Sequence, residues 1–169
     1  MEFNEVVHTR RSIRAYGEQQ VEEATVERVL RAAMAAPSAG NQQPWQFIVI
    51  RDREKREAIP AIHPYARMVL QAPVAILVCG DPDGKKYPQY WQQDCSAATQ
   101  NLLLAARDEG LGTVWCGVYP DPDRINGFRK LLAIPSHILP FALVPLGWPG
   151  IGFQAVERFN PAVIHREQW

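Results

Sequence analysis

No CxxC pair, no HExxH motif and no pair of histidines at i, i+4 occurs in this chain, so neither a structural zinc site nor a zinc-hydrolase centre is expected. Cysteine is scarce. Cys79, Cys95 and Cys116 are odd in number, far apart and set among apolar residues, which fits reduced thiols and not a disulfide framework. An excess of charge of one sign is also missing: 18 Lys and Arg face 18 Asp and Glu, giving net zero. Such a chain lacks the field that condenses proteins on nucleic acid or anionic membranes, and neither partner is expected. No run of 18 apolar residues is present, and the opening MEFNEVVHTRR carries two acids and no apolar stretch. No membrane span and no signal peptide are expected, and the location expected is cytoplasmic.

Nucleotide fingerprints are absent as well. There is no Walker A motif, and GLGTVWCGVYP (110–120) fails the dinucleotide pattern because the third glycine position is Trp115 and the stretch continues as strand rather than helix. Nor is a histidine partner evident that would make Cys116 a catalytic thiol.

What the chain has is an alternation of helical and strand signals, without repeats, over a length suited to one domain. Apolar spacing in EEATVERVLRAAMAAPS predicts an amphipathic helix stopping before Pro37. DCSAATQNLLLAARDEGLG predicts a central buried helix with Asp94 as its cap, and DPDRINGFRKLLAIP a further capped helix. Four short β-branched runs, 45–52, 74–81, 113–119 and 141–147, predict four strands. The tail from Pro149 has no period yet holds Phe153, Phe159, Val163, Ile164 and Trp169, so it is expected to pack on something, with a second subunit the first candidate.

Three stretches stand out as chemistry. TRRSIRAYG clusters Arg10, Arg11 and Arg14 about Ser12; as the close of a first helix from Phe3 it would put Arg10 and Arg14 on one face. Guanidinium forks and a hydroxyl suit a phosphate, although a basic helix end offsetting its dipole has the same composition. APSAGNQQPWQF (36–47) is a polar loop between helix and strand, where site residues commonly lie, or a plain connector. The third is the strand end at Trp115, Cys116 and Gly117, which core packing would also explain.

Together TRRSIRAY, APSAGNQQPWQF, QDCSAATQNLLLAARDEGLGTVWCG, VPLGWP and ERFNPAVIHREQW resemble, in order and spacing, the FMN-dependent nitroreductases, over nearly the whole chain. The resemblance implies an α+β, nitroreductase-like fold: a central, mostly antiparallel sheet flanked by helices. It implies a single FMN-binding domain over 1–169, with 150–169 as a C-terminal arm exchanged between the subunits of a homodimer. By that likeness Arg10, Arg11, Ser12 and Arg14 contact the phosphate, ribityl chain and pyrimidine edge of the flavin. Pro37, Ser38, Ala39 and Asn41 reach the flavin of the partner subunit. Trp115, Cys116 and Gly117 lie by its N5 edge, and Arg158 is a terminal phosphate contact. Relatives often carry a second basic residue where this chain has Val156, and Tyr65 stands where longer relatives place an asparagine near the pyrimidine.

The chemistry implied is an oxidoreductase passing electrons from NAD(P)H through FMN to a flat, electron-poor acceptor such as a nitroaromatic or quinone, by a ping-pong scheme. The flavin would carry it with no catalytic acid or base. Tyr65, Tyr90 and Trp91 are candidate pocket aromatics, with core packing the commoner role for such residues. Reductive dehalogenation, ene reduction or flavin reduction on the same scaffold, and a non-catalytic flavin-binding protein, share these motifs. The segment between Gly80 and Asp94, which by the resemblance would help roof the substrate pocket, is shorter than in many relatives.

Overall fold

The computed structural model describes residues 1–169. Its centre is dictated by VAILVCG, a run apolar at every position, which can be a strand only if both faces of the sheet are covered. That strand, β2 (Val74–Gly80), is buried throughout. It lies between β1 (Trp45–Ile50) and β5 (Leu139–Gly147) and pairs antiparallel with both. Two short strands, β3 (Gly112–Thr113) and β4 (Cys116–Gly117), also pair antiparallel with β5.

Alternation along β2 sends its side chains into two cores. Val74, Ile76 and Val78 meet Val26 and Val29 of α2 (Glu23–Met34) and Ala98 and Leu102 of α4 (Trp91–Asp108). Ala75, Leu77 and Cys79 meet Ile59 of α3 (Arg53–Ile62), Val69 in the 3-10 turns of Pro64–Leu70, and Phe128 of α5 (Pro122–Leu132). Helices therefore flank an antiparallel sheet on both faces, the α+β arrangement expected. No helix is long and apolar enough to cross a membrane.

Two expectations are corrected and one helix is added. The run 113–119 is not one strand: it divides into β3 and β4, so the sheet has five strands and not four. Helix α3 was not signalled, because REKREAIPAI buries only Ile59 and contains Pro60. Asp94 does not cap α4, which begins at Trp91; its carboxylate turns instead to the 39–42 loop.

Candidate functional site

The arginine-rich stretch is not helical. Helix α1 (Phe3–Thr9) closes with Arg10 N–H donating to Val6 O at 2.9 Å, and Arg10 itself has left helical dihedrals. Residues beyond it run extended: Ile13 N–H donates to Thr113 O at 2.9 Å, and Ser12 forms a parallel bridge with Thr113. The cause is packing. Ile13 and Tyr16 are buried, and Gly112 permits the approach, since a Cβ there would lie 2.7 Å from the Ile13 side chain. An extended chain has period two, so Arg10, Ser12 and Arg14 share a side for a reason other than the helical one expected.

Arg11 faces elsewhere. Its guanidinium donates to Arg10 O and, at 2.7 Å, to His8 O, closing the carbonyl end of α1 and leaving only a buried Nε unpartnered. Arg10, Arg14 and Arg158 form no ion pair. The Arg10 guanidinium is held below its ordinary range, first by burial and then by the positive fields of Arg11 and Arg158. Arg158, remote in sequence, is thus brought within electrostatic reach of Arg10. A cluster of cations without a carboxylate is a place for an anion.

Beside it lies a cleft of about 430 Å³ that gathers Arg14, Tyr65, Trp115, Cys116 and Gly117 with four residues not singled out from sequence, His63, Met68, Val114 and Arg124. Cys116 approaches Met68 Sδ at 4.0 Å, and burial pushes its thiol up to about 11 despite the opposing charges of Arg14 and Arg124, so it is no nucleophile at neutral pH. Gly117 is exposed, and a Cβ built on it would meet nothing within 4 Å. The protein's own packing does not require a glycine there. The open space suits a flat group laid against the backbone. Gly117 O accepts from His63 Nε2 and from Arg124 Nη1, each at 2.9 Å. Tyr65, 76% exposed, stands at the mouth, edge-on to His63 and 5.8 Å from the Arg124 guanidinium. Tyr90 is exposed outside this cleft, and Trp91 is core, packed edge-on against Tyr119 and Phe141.

Pro37, Ser38, Ala39 and Asn41 do not line the cleft of their own chain. Their loop is anchored to α4: Asp94, only 5% exposed, accepts from Ala39 N–H at 2.9 Å and from Gln42 Nε2 at 2.7 Å. Gln42 also exchanges hydrogen bonds with the Tyr87 backbone. The loop turns through left-handed Gly40 and Asn41, and a side chain at Gly40 would strike the Tyr87 ring. The contributions of His63, Arg124 and Asp94 were not legible locally, because each acts across more than 6 residues of sequence.

Comparison with known proteins agrees with this fold. The Nitroreductase family model matches residues 7–67 and 61–148. A Methanothermobacter thermautotrophicus protein provisionally named NADH dehydrogenase/NAD(P)H nitroreductase is 50% identical over 169 residues, covering 100% of this chain and 88% of its own. A Parabacteroides distasonis protein with the same provisional name superposes with a TM-score of 0.94 at 42% identity, over 99% of this chain and 98% of the other. The crystal structure of a provisionally assigned nitroreductase from Desulfovibrio desulfuricans, in complex with FMN, has a TM-score of 0.85 at 31% identity, covering 100% and 98%. With the fold and the sequence match in accord, the chain belongs to the nitroreductase family.

Proposed function

We propose that this chain is an NAD(P)H-dependent FMN oxidoreductase that reduces flat, electron-poor acceptors such as nitroaromatics or quinones. The observation that carries the reading is the exposed Gly117 backbone, open to the cleft, with Arg14 beside it and the unpaired Arg10 and Arg158 nearby. These residues fit FMN. Arg10, Ser12 and Arg158 would hold the phosphate and ribityl end, Arg14 and Tyr65 the pyrimidine end, and Trp115, Cys116 and Gly117 the ring edge. Arg11, whose guanidinium closes α1, contributes by fixing the backbone of that segment.

When bound, FMN takes two electrons from NAD(P)H and returns them to the acceptor. The chain's part is to bind, orient and tune. Arg14 places positive charge where negative charge develops, and the protonated Cys116 thiol supplies bulk, not chemistry. A ping-pong order, with nicotinamide and acceptor taking turns on one ring face, is part of this reading.

The working unit proposed is a homodimer of single domains, each extending residues 150–169 over the other. Three features support it. Ile151, Phe159, Val163, Ile164 and Trp169 are exposed in the isolated chain. The outer edge of β1 is unpaired. The 37–41 loop, rigidly anchored yet outside its own cleft, is free to meet the flavin of the other subunit.

The test is a spectrum. Purified protein is expected to be yellow with bound FMN and to bleach anaerobically on addition of NADH or NADPH. Protein that takes up no FMN contradicts the reading, and bound FMN that neither nicotinamide reduces leaves a binding protein.

A further inference from the structure

One carbonyl in the cleft is held with unusual completeness. Strand β4 is only two residues long, and its last residue, Gly117, has no side chain to anchor it. Its oxygen nevertheless receives two donors from two helices. His63, the residue that ends α3 and is only 2% exposed, donates from Nε2 at 2.9 Å. Arg124, in the first turn of α5, donates from Nη1 at 2.9 Å. Asp121 in turn fixes Arg124: it caps α5 by accepting from the Asp123 and Arg124 N–H groups at 3.1 Å, and it pairs with Arg124 Nε at 3.2 Å. On the far side of the same peptide, Val118 N–H donates to Phe141 O at 3.0 Å. The peptide from Gly117 to Val118 is therefore tied at both ends.

The two donors are not equivalent to packing. Because the carbonyl accepts, His63 must carry its proton on Nε2, and Nδ1 is left buried without a partner. That orphan nitrogen is a cost that an apolar side chain of similar size would avoid. Arg124 could point to solvent, yet its guanidinium lies along the cleft, below Tyr65.

We propose that His63 and Arg124 are positioning residues that clamp the Gly117 carbonyl and so fix the backbone edge against which the reacting ring lies. The proposal rests on the flavin reading above. A loosened Gly117 edge changes the geometry of electron transfer while leaving the arginine cluster that holds the phosphate intact.

The test uses the full-length chain with His63→Ala, Arg124→Ala and His63→Gln, the last because a glutamine N–H can take the place of Nε2–H. Before FMN is added, Val118 amide exchange is expected to quicken about tenfold in both alanine variants, as for loss of a hydrogen bond that secures a peptide. After loading with FMN, flavin reduction at saturating NADH or NADPH is expected to slow about tenfold in both, with the KM for nicotinamide changed by less than about threefold. His63→Gln should restore both readouts to within about threefold of the parent. Arg124 is only partly buried, with 24% of its side chain exposed, whereas His63 is 2% exposed, so the Arg124 variant carries the test even where His63→Ala fails to fold. Parent protein that binds no FMN overturns the flavin reading and this proposal with it. Bound, reducible FMN that is indifferent to both alanine substitutions, or a His63→Gln variant as slow as His63→Ala, overturns this proposal alone.

Discussion

β2 and the arm that follows Gly147 both carry large apolar side chains at short intervals, but every residue of β2 is buried, whereas Phe159 and Trp169 are 73% and 100% exposed. The difference is not one of composition. β2 finds α2 and α4 on one face and α3 and α5 on the other within the same chain. The arm is held only at its start, by Trp148 against the α2–α4 core, by Gly150 N–H donating to Ala15 O at 2.8 Å and by the Phe153 ring under the Arg107 guanidinium at 3.9 Å, and then runs on over the surface. Apolar surface that a chain makes and does not cover is surface for another molecule. Here the other molecule proposed is a second copy, which also supplies the 37–41 loop to the cleft.

Deleting residues 150–169 should break the comparison most severely, since it removes the uncovered apolar arm and Arg158 together. The expected product is FMN-free protein that no longer sediments as a dimer; a flavin-replete monomer would show that the arm is dispensable. Arg10→Ala leaves the arm in place and removes one guanidinium from the proposed phosphate site. A charged hydrogen bond is worth about 1.5 to 3 kcal/mol, so FMN affinity should fall roughly ten- to a hundred-fold by titration of flavin fluorescence.

Gly117→Val separates the needs of the fold from the needs of the cofactor. Nothing of the protein lies within 4 Å of a Cβ there, so the melting temperature without FMN should stay close to that of the parent, while affinity for FMN falls by about tenfold or more. Equal affinity would place the ring elsewhere. Cys116→Ala should act in the opposite sense. With its thiol pushed up to about 11, Cys116 is a packing residue, and turnover with NADH or NADPH should change by less than about threefold.

The smallest effect concerns pH. Burial first, and the Arg124 charge second, hold His63 below its ordinary value of 6.5. The unfolded chain therefore binds the proton more readily, and stability is lost as pH falls through and below the unfolded value. Parent protein should show a larger drop in melting temperature between pH 7.5 and 5.5 than His63→Gln, which has no proton to gain. Equal drops would mean that the buried ring does not contribute.

How much of this was legible in the sequence follows the same divide between local and distant causes. β2 and β5 were readable because a strand covered on both faces must be apolar at every position. α2 was readable from its period. The run at 113–119 misled because its β-branched and aromatic residues suggest one strand, while only Gly112–Thr113 and Cys116–Gly117 pair with β5. The arginine segment read as helix because nothing in TRRSIRAYG breaks one; burial of Ile13 and Tyr16 and the gap left by Gly112 decided otherwise. Asp94 has the composition of a cap, and only the folded chain shows it holding a loop 55 residues away. The grouping of Arg14, Tyr65, Cys116 and Gly117 came through resemblance, and His63 and Arg124 came through neither route, since no local pattern marks a side chain whose partner is a distant carbonyl.

Native mass spectrometry of the purified protein tests the central claim most directly, because it counts chains and cofactors in the same particle. With 19.1 kDa per chain, the account predicts a particle of two chains carrying two FMN molecules, and no FMN on single chains. A single chain that holds FMN by itself, or a dimer that holds none after incubation with FMN, would contradict a site completed by both subunits.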